Sequence, residues 1–264
     1  MNNKRHGKGR LILGNNSSYE GDFQNNLYHG KGILSCPCFT YTGDFLYGKR
    51  DGHGKMIDYI KRSVYEGEWI NDFQEGKGEE SYDDGSKYIG YFSKGEKSGK
   101  GKLILKNGIS YYEGEFLNDK LHGKGMFKWN KNKCYHGEWN NNEICGYGVL
   151  EEGDTIHVGY FDKDTKWGYG ATKYLDSNVI ILGKWENGEL DGLGIIFLGD
   201  WRNSENEKLF CIEKGKIIKK EQNDDTINGF KKREDYLNMK KLFINKFVDE
   251  FNEKRVDNII FNFE

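Results

Sequence analysis

The sequence predicts an all-β chain, an elongated single-layer antiparallel sheet of consecutive β-hairpins followed by a C-terminal amphipathic α-helix. A Gly-x-Gly word returns every 22 to 24 residues, and after its first occurrence a short aromatic word, Tyr-x-Gly-x-Phe/Trp, stands nine residues before it. Glycine is used heavily, 36 residues of 264 against one proline. Self-similarity at a short fixed period marks a repeat architecture, whose single unit cannot bury a core alone.

The aromatic word reads YEGDF, YTGDF, YEGEW, YIGYF, YEGEF, YHGEW, HVGYF, ILGKW and FLGDW, centred on Gly21, Gly43, Gly67, Gly90, Gly114, Gly137, Gly159, Gly183 and Gly199. The second word begins at Gly7, Gly30, Gly52, Gly76, Gly99, Gly123, Gly146, Gly168 and Gly192. Nine residues separate the two words in all eight complete units, while the link to the next unit varies. A rigid two-stranded hairpin joined by tolerant turns has this spacing. Repetition also argues against HGKG at residues 29–32 as a phosphate cradle, because such a loop occurs once, between a strand and a helix, with a Lys-Ser/Thr behind it.

Period-two alternation places Tyr19, Gly21 and Phe23 on one face and Glu20 and Asp22 on the other. Setting Phe23 opposite Gly30 brings Asp22 against Lys31 and Gly21 against Gly32, and leaves QNNLYH as a six-residue loop. The same register pairs Asp44 with His53, Glu68 with Lys77 and Glu115 with Lys124. Glycines without a Cβ leave a trough on which neighbouring rings lie. At two strands per unit, nine units extend on the order of 90 Å. The expected partner-binding surface is the aromatic face of Tyr19, Phe23, Tyr41, Phe45, Tyr65, Trp69, Tyr88, Phe92, Tyr112, Phe116, Tyr135, Trp139, Phe161 and Trp185.

Forty basic and 42 acidic residues leave a net charge of −2, which supplies no field to gather nucleic acid. Mean hydropathy is −0.86. The N-terminal MNNKRHGKGR lacks the apolar stretch of a signal peptide, and no window approaches the roughly 18 apolar residues of a membrane helix. Five cysteines without framework spacing fit a reducing, intracellular compartment. Cys134, His136 and Cys145 come nearest to a metal set. Equivalent positions in adjacent units nevertheless stand about 10 Å apart, and zinc needs ligands at about 2.0 to 2.3 Å. No metal, no cofactor and no catalytic residue are expected, since no nucleophile–base or paired-carboxylate arrangement stands apart from the repeat. Lys8, Lys31, Lys77, Lys100 and Lys124 occupy the middle of Gly-x-Gly and form a column, read either as a solvated face balanced by acids or as a stripe for anionic phospholipid.

The repeat region spans 1–201, with about eight complete units and a partial ninth. Residues 202–228 hold a closing hairpin, KLFCIEKGKIIKKE, and a polar linker. Residues 229–264 form the helix and tail, in which Tyr236, Leu237, Phe243, Ile244, Phe247, Val248 and Phe251 recur at three- and four-residue spacing. Two readings stand: a cap laid on the final repeats, or a docking or oligomerising helix.

The aromatic word, followed nine residues on by Gly-x-Gly and an aliphatic residue, resembles the MORN (membrane occupation and recognition nexus) repeat over residues 7–201. His157, Ile181 and Phe197 stand where the leading Tyr is expected. The resemblance implies a non-catalytic scaffold of the cytoskeletal, ciliary or membrane-junction kind, and no family-associated catalytic domain fits residues 202–264. The partner expected is a helix or extended segment of another protein, or a second copy of the chain. A phosphoinositide-binding membrane tether is the alternative. The implied location is cytoplasmic, cytoskeletal or ciliary, or peripheral at a membrane.

Overall fold

The computed structural model describes residues 4–199, 207–213 and 216–220, together with Asn238, Lys240 and Lys241. These residues are all-β except the last three, which carry helical backbone. Tyr236, Leu237, Phe243, Ile244, Phe247, Val248 and Phe251 lie outside the described residues. The chain divides into two compact units, Met1–Gly123 and Lys124–Glu264.

The first unit contains β1 (Gly7–Gly14), β2 (Ser17–Gln24), β3 (Leu27–Ser35), β4 (Phe39–Leu46), β5 (Lys49–Asp58), β6 (Ser63–Ile70), β7 (Phe73–Tyr82), β8 (Lys87–Ser93), β9 (Glu96–Ile104) and β10 (Tyr111–Leu117). After β11 (Lys120–Asn130), the second contains β12 (Lys133–Asn140), β13 (Glu143–Glu152), β14 (Thr155–Asp162), β15 (Thr165–Tyr174), β16 (Val179–Glu186), β17 (Glu189–Leu198), β18 (Glu207–Glu213) and β19 (Lys216–Lys220). Strands consecutive in sequence pair antiparallel within each unit.

The hairpin turns are two residues long, shorter than the six-residue loop expected. Gln24 pairs with Leu27, so Asn25 and Asn26 alone make the turn, with φ of 51° and 72°. Positive φ at both central residues is the type I′ geometry whose twist matches that of paired strands, and short polar Asn tolerates it. Asn71–Asp72, Asn118–Asp119, Asn141–Asn142 and Lys163–Asp164 repeat it. Each begins four residues after a central glycine, a fixed offset that was readable in the sequence.

The short turn changes the register. Gly21 pairs with Gly32 as expected, but Asp22 then meets His29 and Phe23 meets Tyr28, leaving Gly30 and Lys31 bulged out. The predicted cross-strand pair Asp22–Lys31 is therefore corrected. Lys31 pairs with Asp44 of the next repeat, Lys8 with Asp22, His53 with Glu68 and Lys100 with Glu115, so these pairs join neighbouring hairpins. The acid does reach the Gly-x-Gly of its own hairpin through the backbone: Asp44 Oδ2 accepts the His53 N–H at 3.0 Å, and Glu68 Oε1 the Lys77 N–H at 3.2 Å. Gly52, with φ of 110°, passes beneath Asp44, where a Cβ would stand 2.7 Å from the Asp44 Cβ.

Glycines pair with glycines along β1 to β10 and again along β12 to β17. Gly9, Gly21, Gly32, Gly43, Gly54, Gly67, Gly78, Gly90, Gly101 and Gly114 form a row across the first unit. Gly137, Gly148, Gly159, Gly170, Gly183 and Gly194 form one across the second. Gly199 follows β17 and is not part of the row, and the ring of Phe210 on β18 covers Gly194.

Candidate interaction surface

On one face the repeats that carry the tyrosine lay it over the glycine row. A Cβ on Gly21 would come within 2.6 Å of the Tyr19 hydroxyl, so a side chain there would displace the ring. Where the bulge interrupts the ladder, the phenol closes it: Tyr19 donates to the Asp22 carbonyl at 2.9 Å, Tyr41 to Asp44 at 3.0 Å and Tyr65 to Glu68 at 2.9 Å. The Phe or Trp at the end of the word stands edge-on between two tyrosines. Phe45 is 5.1 Å from Tyr41 and 5.2 Å from Tyr19, Trp69 is 5.3 Å from Tyr65 and 5.2 Å from Tyr41, and the ladder continues in the second unit at Tyr135 with Trp139 and Phe161.

This ladder is the core, which corrects the expectation of an open aromatic face. Tyr19, Tyr41, Tyr65, Tyr88, Tyr112 and Tyr135 are 0% exposed, and Phe23, Phe45, Trp69, Phe92, Phe116, Trp139, Phe161 and Trp185 are 2–5% exposed. Alternation identifies residues that share a face; it does not say which face is covered. Burial raises the phenol pKa of Tyr19 to about 12, and the Asp22 charge adds to it. The phenols of Tyr41, Tyr65, Tyr88, Tyr112 and Tyr135 are pushed higher, each chiefly by burial.

The opposite face of the first unit is open. Its glycine row floors a groove of about 740 Å³, walled by Lys8, Arg10, Glu20, Asp22, Lys31, Ile33, Thr42, His53, Lys55 and Glu66. All five lysines of the predicted column are exposed. Lysines of the groove lie against acids: Lys31 Nζ is 2.8 Å from Asp44 Oδ1, and Lys55 Nζ, outside the column, is 3.3 Å from Glu66 Oε2. Lys77 instead stands over the Tyr91 ring at 5.6 Å. Burial favours the neutral form of Asp44, but hydrogen bonds from Lys31 and the His53 amide outweigh it and hold the carboxyl below its ordinary range. Apolar residues interrupt the charges, Ile33 at 43% exposed and Ile89 at 44%.

Cys134 and His136 pair with Glu151 and Val149, and Cys145 with Glu138. Among the described residues no cluster of three or more His, Cys, Asp or Glu could hold a metal ion, and no helix is long and apolar enough to cross a membrane.

A sheet of tandem hairpins crossed by a glycine row, with one face sealed by rings, defines a β-hairpin repeat protein. The MORN repeat model matches residues 1–18, 19–37, 41–59, 65–87, 88–110, 112–133, 135–151 and 183–201, and the chain belongs to the MORN-repeat family. The unmatched stretch 152–182 carries β14 and β15, paired with the same bulged register as the other hairpins. Over 77 residues the chain is 38% identical to MORN repeat-containing protein 3 of Xenopus laevis, a match covering 26% of this chain and 32% of that protein. The chain thus spans about a third of that relative's length.

Proposed function

We propose that this protein is a non-catalytic scaffold whose first unit grips a helical or extended segment of a protein partner in the glycine-floored groove. The observation that carries this reading is the contrast between the two faces. The rings are sealed in the core, while the groove between Lys8 and Glu66 is long, open and bare at its floor. MORN repeats typically mediate protein–protein or membrane interactions. The alternation of Lys31 with Asp44 and of Lys55 with Glu66 favours a protein segment of mixed charge over an anionic lipid surface, which needs accumulated positive charge. A cytoskeletal, ciliary or membrane-junction assembly is the setting this reading implies.

The test places a photo-crosslinking amino acid at Ile33 in cells and identifies the adduct. A charge-reversed groove, Lys31→Glu with Lys55→Glu and Glu66→Lys, should lose that adduct while keeping its thermal unfolding midpoint. Undiminished crosslinking in the reversed variant would reject the groove as the docking surface. Flotation of both proteins with phosphoinositide vesicles reads the lipid alternative: flotation of the native chain, lost on reversal, would replace the protein partner by a membrane.

A further inference from the structure

Strand β1 is the second half of a hairpin. Residues 4–12, KRHGKGRLI, align with β3, so Gly7 stands where Gly30 does and Gly9 where Gly32 does. β3 has two neighbours, β4 of the next repeat and β2, which carries the aromatic word of its own hairpin. β1 pairs with the next repeat through β2, and among the described residues its other side has no paired strand. The seats that an aromatic word fills elsewhere are nonetheless formed along that edge. A Cβ on Gly32, Gly54, Gly78 or Gly101 would fall on the ring of its own hairpin's tyrosine, whereas one on Gly9 would meet only the edge of Phe23, at an ordinary 3.5 Å. Asp22, Asp44 and Glu68 lay their carboxylates against Gly30, Gly52 and Gly76, and the last two accept the amide of the following residue. Gly7 keeps the same left-handed backbone, φ 76°, but nothing stands within 4 Å of a Cβ there. Arg5 already holds the pose of Arg50: its amide donates to Asn26 Oδ1 at 2.8 Å, as that of Arg50 does to Asp72, and its guanidinium lies 5.5 Å from the Phe23 ring. Arg50 also lies 5.8 Å from the ring of Tyr41, the tyrosine of its own hairpin.

We propose that the outer edge of β1 is a docking site for one extended strand of another protein, bearing the word Tyr-x-Gly-acid-aromatic and adding antiparallel to the sheet. The register of β2 on β3 sets the register of this strand on β1. Its glycine lies opposite Gly9, its tyrosine opposite Leu11 with the ring over Gly9 and beside Arg5, and its acid opposite His6, where it accepts the Lys8 amide. The chain's own repeats thus define the ligand. Charge fits the same occupant, because residues 4–14 hold Lys4, Arg5, Lys8 and Arg10 and no acid. Such an edge attracts an acidic strand and repels a second β1, which also brings no tyrosine. The aromatic words of a second copy on β2, β4, β6 and β8 are already paired on both sides in their own sheet. The inference stands apart from the groove reading, since an added strand extends the sheet along its edge.

Fluorescence anisotropy of the full chain with a labelled peptide of residues 17–24, SSYEGDFQ, tests the site. Binding is expected, and Tyr19→Ala or Asp22→Asn in the peptide should weaken it at least about 10-fold, the scale of one lost aromatic contact or charged hydrogen bond. Gly9→Ala in the protein should weaken it as much while keeping the thermal unfolding midpoint, because the new Cβ touches only Phe23. The groove variant, Lys31→Glu with Lys55→Glu and Glu66→Lys, should bind the peptide as the native chain does. A second measurement removes the demand on peptide affinity. Residues 17–26 placed directly before Lys4 let Asn25 and Asn26 make the turn and hold the strand at an effective concentration of about millimolar. Hydrogen exchange of the Lys8 amide should then slow at least about 10-fold, and Tyr19→Ala in the added copy should restore the native rate. Protection that depends on that tyrosine supports the site. Peptide binding that Gly9→Ala leaves intact overturns it, as does failure of both the free and the tethered strand. Protection of β1 that the native chain gains with its own concentration also overturns it, by making a second copy the occupant.

Discussion

The guanidinium of Arg50 lies 4.4 Å from the ring centroid of Trp69, while its Nε reaches Asp72 Oδ1 at 3.1 Å. One side chain thus ties the ring ladder to the turn of the next hairpin. The Arg50 backbone N–H also donates to Asp72 Oδ1 at 3.0 Å, and the Asp72 N–H returns a bond to the Arg50 carbonyl at 2.9 Å. Lys97 with Asp119 and Ile144 with Asp164 repeat the amide-to-carboxylate contact. Stability in such a solenoid resides in nearest-neighbour interfaces, and the second residue of each turn is part of that interface.

Trp69→Ala is therefore expected to destabilise the first unit by about 3 to 5 kcal/mol, as large aromatic-to-alanine truncations in cores do. The ring is 2% exposed, packs on Tyr41 and Tyr65, and donates Nε1–H to the Gly54 carbonyl at 3.1 Å. Urea unfolding followed by fluorescence measures it. A loss below about 1 kcal/mol, the scale of an ordinary surface change, would contradict a core role for this ring.

Gly54→Ala should be worse than Gly153→Ala, although only the second glycine has a positive φ. A Cβ on Gly54 falls on the Tyr41 ring, whereas one on Gly153, φ 58°, meets nothing within 4 Å. The second change costs about 1 to 2 kcal/mol for a left-handed alanine. The first must move a fully buried tyrosine, which costs about 1 to 3 kcal/mol or more and opens the ladder. Comparing the two unfolding midpoints decides between steric approach and backbone freedom as the reason for the row.

Much of this arrangement was legible in the sequence. The period, the hairpin and the Gly21–Gly32 pairing follow from spacing and alternation. The register beyond Gly21 did not, because a nine-residue interval fits either a six-residue loop or a two-residue turn with a bulge, and Asn25–Asn26 decides between them only through its φ preference. The identity of the covered face was equally hidden: Tyr19 and Glu20 alternate identically whichever side is sealed. The change from Glu20 to Val158 and Leu182 at one repeat position was visible, and both of these second-unit residues are 0% exposed.

The buried tyrosines predict loss of the fold in alkali. The phenols of Tyr19, Tyr41 and Tyr65 have folded pKa values above the ordinary value of 10.0, so the stability they contribute is complete below about pH 10 and disappears as pH rises through the folded values. Tyr88 and Tyr112 share that direction, with burial as the main cause. Of the 17 tyrosines, Tyr19, Tyr41, Tyr65, Tyr88, Tyr112 and Tyr135 are 0% exposed, so the last part of the tyrosinate absorbance change should coincide with the loss of the sheet followed by circular dichroism. Complete tyrosinate absorbance reached with the sheet intact would show that the ladder rings are open to solvent.

His157 predicts the opposite edge of the stability range, in the second unit. It replaces tyrosine in the ring ladder, is 2% exposed, and stands 4.8 Å from the Trp185 ring and 5.5 Å from Phe161. Its Nδ1 shares a hydrogen bond of 2.8 Å with Thr172 Oγ1. Burial, and secondarily the Lys166 cation, hold its pKa well below the ordinary value of 6.5. The folded unit thus keeps the ring neutral while the unfolded chain protonates it first. The contribution is complete above about pH 6.5 and is lost as pH falls from there toward the folded value. The unfolding temperature should fall between about pH 7 and about pH 5, and His157→Gln, which keeps a polar partner for Thr172 but cannot take the proton, should fall less over the same interval. The difference between the two proteins is the quantity to read. Equal losses in both would mean that His157 is not the group that limits the unit in acid.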